Sequence, residues 1–405
     1  MRNRTGIAVA ALALGSVVAS GALGADKVDA ALPWAQRMAD SIIARQPKGT
    51  MLEARGQGEM PKWSYSAAFC VRAVAEVGAG KGAAGEKYVK YAQDYMDAFI
   101  NDAGALDKRY YQARGHRLDD IAPGQLILLL AAQTKSPKYT TAALELAEQL
   151  KTQPRVAEGG FWHKDIYPHQ MWLDGIFMDC PFMARLGAAT GQPAYFDEVA
   201  EQITLMAKVA QDPTTGLCYH GWDESKSEKW ADPATGLSKC FWGRGMGWYM
   251  AGIVDALDYL PAEHPQRAQI LAILQKAAAG VTAVQDAKTG VWWQVLDQGE
   301  RAGNYRESSA SCMITYALAK AARKGYVEAK YAEVAKKAYA GILREFIDVD
   351  AATGLVSLKE TCQVAGLGGT PYRDGSYAYY LREPRAVNDT KGMAPFILAS
   401  LEMQQ

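Results

Sequence analysis

Between Phe161 and Gly187 the chain reads FWHKDIYPHQMWLDGIFMDCPFMARLG, which places His163, Lys164, Tyr167, His169, Trp172 and Asp174 ahead of an apolar, helix-like run. Aromatic rings can stack on sugar faces, a cation can hold a carboxylate, and an acid among them can move a proton. Asp174 is followed by Gly175, so the backbone can be approached closely where a helix begins. A simple helix cap is the competing reading of Asp174, since Asp is a common N-cap. A second stretch, FWGRGMGWYM from Phe241 to Met250, sets Trp242, Arg244 and Trp248 among glycines. Those glycines are expected to let a ligand reach the backbone, with Arg244 touching it. The structural alternatives are that Trp248 fills a core and that Arg244 caps carbonyls or pairs with an acid.

These side chains need a scaffold, and the chain alternates two kinds of apolar-periodic segment that supply one. Charged, amphipathic segments run over Leu32–Arg45, Gly85–Ile100, Pro137–Lys151, Ala194–Ala210, Pro265–Val284 and Glu328–Phe346. Between them lie segments poor in charge and rich in Gly, Ala and Ser, starting near Trp63, Asp119, Asp174, Gly245, Glu307 and Asp389. The first kind suits solvent-facing helices and the second suits helices buried on most of their surface. Six such pairs predict an all-α fold, an (α/α)6 barrel of helical hairpins in which each pair buries its apolar face on its neighbours. The polar starts of the inner helices then gather at one end. Tyr65, Asp119, Asp120, His163, Lys164, Asp174, His220, Trp242, Arg244, Trp248, Glu307, Tyr372, Arg373, Asp374 and Lys391 are expected there. Aromatics mixed with cations suit an acidic sugar.

Four turn phrases recur, DPTTGL at 212–217, DPATGL at 232–237, DAKTGV at 286–291 and DAATGL at 350–355. Asp, Thr and Gly at these offsets favour tight turns. The segments after three of them, Cys218–Trp222, Val291–Val295 and Leu355–Leu358, have strand character and predict short β-hairpins at the site end.

Across 405 residues no Ser/Pro-rich or charge-block segment marks a linker, so residues 26–405 are expected to form one domain. A formal net charge of zero offers no basic field for nucleic acid or acidic lipid. Residues 1–25 carry Arg2 and Arg4, then an apolar run, then small residues, the order of an export signal. That predicts a secreted or periplasmic product with no stable membrane insertion; an uncleaved anchor is the alternative. Export permits disulfides, and of the six cysteines Cys218 and Cys240 are the pair that could bridge. The five histidines show no i, i+4 pairing with a carboxylate in place, so no metal or other cofactor is expected. Oligomeric state is not legible.

Four stretches, HKDIYPHQMWLDG, FWGRGMGWYMAGIVDAL, NYRESSASCMITYALAKA and YRDGSYAYYLREPRAVNDTKGMAPFILASLE, together resemble the unsaturated rhamnogalacturonyl hydrolases, glycoside hydrolase family 105, from about Trp63 to the end. The resemblance implies an (α/α)6 barrel that removes a 4,5-unsaturated uronic acid from the nonreducing end of oligosaccharides left by pectin lyases. It implies that Asp174, in WLDG, is the general acid and base and that Asp119 lies across the pocket, Asp120 being the lesser claimant. His163, Lys164, Trp242, Arg244 and Trp248 fall on the family's binding positions, Tyr65 and His220 match them more loosely, and Arg373 joins the substrate-binding set. Unsaturated glucuronyl hydrolysis of ulvan or glycosaminoglycan fragments is the rival activity, and a noncatalytic sugar-binding toroid the rival of another class.

Overall fold

A computed structural model describes residues 28–53 and 61–405; the expected export signal lies outside the described residues. Six outer helices, α1 (Trp34–Arg45), α3 (Glu86–Met96), α5 (Pro137–Thr152), α7 (Ala194–Ala210), α9 (Arg267–Ala283) and α11 (Lys330–Glu345), alternate with inner ones. The inner helices are α2 (Tyr65–Val77), α4 (Gly124–Thr134), α6 (Leu173–Thr190), α8 (Gly243–Leu257), α10 (Ser308–Arg323) and α13 (Thr390–Glu402). Each inner helix packs on the next, and α13 packs back on α2, so the ring closes as the alternation predicts. The reason is visible in burial. Every residue of α8 is buried, whereas α11 buries only one stripe, Tyr331, Ala335, Ala338, Gly341 and Ile342. Each element can satisfy its apolar surface only in its own layer.

At the end of the ring opposite the inner-helix starts, ion pairs tie the inner helices together. Arg72 on α2 pairs with Asp255 on α8 at 2.7 Å, and Lys320 on α10 pairs with the same carboxylate at 2.6 Å. Tyr316 donates to Asp255 at 2.5 Å, and Arg72 also donates to Gln125 on α4. Among these charges lies a cavity of about 200 Å3.

The turn phrases do what their composition requires. Asp212, Asp232 and Asp350 each accept the backbone N–H and the hydroxyl of the Thr three residues on, at 2.7–3.0 Å. Gly216, Gly236, Gly290 and Gly354 then take φ of +72° to +83°, where a side chain would be strained. Strands are shorter than expected, and two of the three expected segments, Cys218–Trp222 and Leu355–Leu358, contribute one each. β1 (Gln170–Trp172) pairs with β2 (Gly221–Asp223), β3 (Ile347–Val349) with β4 (Val356–Leu358), and β5 (Thr361–Cys362) with β6 (Arg385–Ala386), all antiparallel. Val291–Val295 forms isolated bridges to Trp242 and Arg306 rather than a strand, because its backbone bonds are divided among partners: the Gln294 N–H goes to the Tyr305 carbonyl, the Gln294 carbonyl accepts from Gly243, and the Trp292 N–H goes to Ser311 Oγ. A short helix, α12 (Tyr377–Arg382), precedes β6. All six cysteines are buried free thiols, so Cys218 and Cys240 are not joined.

Candidate active site

Backbone hydrogen bonds bring three segments together under the inner-helix starts. The Leu118 N–H donates to the His163 carbonyl at 3.1 Å, which sets Asp119 beside the His163–Lys164 pair. β1 pairs Trp172 with Gly221, and the Leu173 N–H donates to the His220 carbonyl at 3.0 Å, which sets His220 beside Asp174.

Asp174 is not a cap. The N-cap of α6 is Trp172, and Asp174 stands in the first turn with its side chain turned to the pocket chemistry rather than to helix N–H groups. True caps occur elsewhere: Ser64 on α2, Glu307 on α10 and Asp389 on α13 accept N–H bonds from their helices. Oδ2 of Asp174 is 3.3 Å from Nε2 of His220, with alignment too poor for a full hydrogen bond; neither atom has another partner among the described residues. Nδ1 of His220 is 2.8 Å from the Tyr380 hydroxyl. A carboxylate facing Nε2 calls for the proton there, leaving Nδ1 to accept from Tyr380.

Burial pushes the Asp174 carboxyl up, but His220 and then His163 outweigh it and hold the group below the ordinary carboxylate range. Burial lowers His220, and it pushes His163 down to about 4, so both imidazoles are uncharged at neutral pH. Asp119 is also held low: burial raises it, and the Lys164 ammonium at 2.5 Å and His163 at 3.5 Å outweigh burial. Asp120 stands apart, turned toward Arg117 at 3.7 Å, and burial pushes it up to about 6.

The aromatic floor is continuous. The His163 ring stacks on Trp172 at 4.6 Å and 18°, and Tyr167 stacks on Trp172 at 4.8 Å and 20°. Trp242 lies 4.4 Å from the His220 ring and stacks with Tyr380. The Tyr65 hydroxyl feels the charges of Asp119, Arg244 and Asp174, and its ring meets Trp248 edge-on at 6.2 Å.

Some expectations are corrected here. Trp248 is 1% exposed and packs on Phe69 and Phe177, so it supports Tyr65 from the core and offers no open face. Arg244 is buried, its guanidinium over Trp242, and donates to the Cys362 carbonyl and to Ser309 Oγ at 3.2 Å with Glu307 at 4.0 Å. The glycines around it make room for protein: a Cβ on Gly243 would stand 2.6 Å from the Trp293 carbonyl oxygen, and one on Gly247 2.7 Å from Met313 Cβ. Arg373 donates to the Gly368 and Leu367 carbonyls and to the Tyr167 hydroxyl, fixing its own loop beside the floor. Lys391 is paired with Asp389 at 2.8 Å, and Asp374 accepts from Ser376; both serve local structure. Tyr380 was not foreseen: it lies 160 positions from His220, and no local spacing connects them.

The assembled site has an acid, two neutral imidazoles, a Lys-paired second carboxylate and stacked rings. A hollow of about 850 Å3 bordered by Trp63, Tyr110, Arg117 and Asp120 opens at this end; Asp174 is not on its wall. Among the described residues no three His, Cys, Asp or Glu side chains gather as a metal site, and no helix is long and apolar enough to cross a membrane.

Comparison with known proteins gives the same fold and places the chain in a glycosidase family. The sequence pattern of Glycosyl Hydrolase Family 88 matches residues 34–405. A solved glycoside hydrolase from family 105 of C. acetobutylicum ATCC 824 superposes with a TM-score of 0.86 at 40% identity, covering 92% of this chain and 99% of that one. Protein Atu3128 of Agrobacterium fabrum is 38% identical over 231 residues, 56% of this chain and 97% of its own. Unsaturated rhamnogalacturonyl hydrolase YesR of Bacillus subtilis is 28% identical over 262 residues, 63% of this chain and 70% of that protein.

Proposed function

The chain belongs to glycosyl hydrolase family 88, with the family 105 enzymes among its relatives, and from that premise we propose that it removes a 4,5-unsaturated uronic acid from the nonreducing end of lyase-generated oligosaccharides. Unsaturated rhamnogalacturonan fragments are the favoured substrate, supported by the similarity to YesR. The observation that carries the reading is the Asp174 carboxylate in the first turn of α6, 3.3 Å from His220, whose ring packs on Trp242, and within reach of the charge of His163, whose ring stacks on Trp172.

The substrate contains a vinyl ether. Protonation at C4 places oxocarbenium character on C5, water adds at C5 and gives up a proton, the resulting hemiketal opens at C5–O5 to a ketone, and the hemiacetal left at C1 collapses, breaking the glycosidic bond and releasing the keto sugar and the departing chain. Asp174 serves both transfers, giving a proton to carbon and taking one from water. In the free protein it is ionised, so Asp174 takes up a proton from water as the substrate binds. The substrate's own carboxylate supplies the cause, because a second negative charge in a desolvated pocket raises a neighbouring acid. Asp119, locked to Lys164, stays ionised and orients that lysine. Tyr65, His163 and His220 bind and align the sugar, Trp242 packs behind the His220 ring, and Lys164 supplies the positive charge toward the sugar carboxylate.

Loss of the double-bond absorbance on unsaturated disaccharides from rhamnogalacturonan, ulvan and glycosaminoglycans tests the substrate. The rhamnogalacturonan disaccharide should be turned over fastest. Faster turnover of either alternative by tenfold or more would reassign the substrate. Export is part of the same proposal, and mass spectrometry of the mature product should find its start near Ala25 or Asp26 rather than an intact Met1.

A further inference from the structure

One ring layer from the catalytic floor lies a second hollow of about 520 Å3, lined by Tyr167, Val364, Tyr372, Arg373 and Arg382 among others. Tyr167 joins the two spaces, since its ring stacks on Trp172, which in turn stacks on His163. Arg373 is their shared wall: its guanidinium lies over the rings of both Tyr167 and Trp172, and its charge is felt at His220.

The surface of this hollow is unusual for a loop facing water. Val364 is 53% exposed and Tyr372 is 44% exposed. Tyr372 is nevertheless anchored, its hydroxyl accepting the Trp230 N–H at 3.0 Å and donating to Glu228 at 3.1 Å. The ring is therefore held at the rim by its polar end. Arg382 is exposed and makes no ion pair or hydrogen bond among the described residues, while its neighbour Glu383 is engaged by the Tyr379 hydroxyl. Lys229 adds another cation, 5.9 Å from the Tyr372 ring. A fixed exposed ring, Tyr372, with the half-buried Tyr167 beside it and unpaired positive charge on Arg382, matches a sugar chain that carries carboxylates, because the ring faces stack on C–H surfaces and a guanidinium pairs with the acid.

We propose that this hollow holds the part of the oligosaccharide that departs, with Tyr167 and Tyr372 against a sugar face and Arg382 on the carboxylate of a further acidic unit. The proposal rests on the hydrolase reading above and deepens it: the enzyme prefers an acidic chain of more than two sugars. The unsaturated disaccharide ends before this unit, so only longer substrates feel Arg382.

Arg382→Gln, Tyr372→Ala and Tyr372→Phe, each checked for an unchanged thermal midpoint, are assayed on an unsaturated disaccharide and on an unsaturated tetrasaccharide with a second uronate. Arg382→Gln should raise KM for the tetrasaccharide by roughly three- to tenfold, the range of an exposed charge-assisted contact, and leave kcat and the disaccharide unchanged. Tyr372→Ala should do the same, and Tyr372→Phe, which keeps the ring but loses the hydroxyl that anchors it, should raise KM by less. Reducing the second carboxylate to an alcohol should abolish the effect of Arg382→Gln. If both variants treat the tetrasaccharide as the wild type does while the disaccharide is still hydrolysed, the hollow is not the leaving-side subsite and the hydrolase reading stands. Absence of wild-type turnover on either substrate would instead remove the hydrolase reading, and this proposal with it.

Discussion

Replacing Asp179 by Asn should stabilise the protein by an amount that grows from about pH 4 and is complete by about pH 7. Asp179 lies in α6 shortly after Asp174, is 1% exposed, and its Oδ1 has no partner among the described residues. Burial, with Glu198 nearby, pushes its carboxyl up to about 7. An aspartic acid in the unfolded chain titrates near about 4. Between these values the folded protein holds a proton that the unfolded chain has lost, so stability falls as pH rises from about 4 to about 7 and then levels. The gap corresponds to ~4 kcal/mol, and relaxation with water penetration around the ionised group reduces this to the order of 2 to 4 kcal/mol. Asn keeps the shape of the protonated acid and cannot ionise. Thermal unfolding at about pH 4 and about pH 8.5 checks this: the variant should melt near the wild type at the lower pH and several degrees above it at the higher. A constant difference between the two proteins across that range would show that Asp179 does not titrate inside the fold as argued.

Other outcomes follow from the same geometry. Asp255→Ala should cost about 3 to 5 kcal/mol, because Arg72 and Lys320 would be left buried without their shared counter-charge, and should lower the melting temperature with little change in KM of the material that folds. Lys164→Met should weaken substrate binding roughly ten- to a hundredfold and raise the Asp119 carboxyl, measured as an altered pH profile as well as a higher KM. Since Asp174 is held low in the free protein and must be protonated to act, kcat/KM should fall as pH rises through its free-protein value. The corresponding limb of kcat should lie at higher pH, because the bound carboxylate favours the protonated form.

The ring of hairpins was legible because two burial regimes leave two compositions: α8 with glycines and no exposed residue, α11 with charges on all but one stripe. The Asp-x-x-Thr-Gly turns were legible because their hydrogen bonds are local. The site was readable as a set of residues and much less as a set of contacts. Asp119 was placed near His163 and Lys164, yet its capture of the Lys164 ammonium depends on one backbone bond from Leu118 to the His163 carbonyl. Tyr380 against His220, and Arg244 against the Cys362 carbonyl, join segments more than a hundred positions apart. The glycines around Arg244 were misread for a related reason: close approach was inferred correctly, but what approaches is the Trp293 carbonyl and Met313, not a ligand. That Asp174 is held low was not legible in the sequence. That direction depends on which histidine faces the carboxylate, which only the β1–β2 pairing decides.

The central claim is that Asp174 transfers the proton to the double bond, and its most direct test is Asp174→Asn. The amide keeps the shape of the side chain beside His220 but cannot give or take the proton. Binding of an unsaturated disaccharide, measured by calorimetry, should stay within a few-fold of the wild type, while loss of the double-bond absorbance should fall by a factor on the order of a thousand or more. A folded Asp174→Asn protein that still hydrates the double bond at close to the wild-type rate would contradict the account and make Asp119 the leading acid.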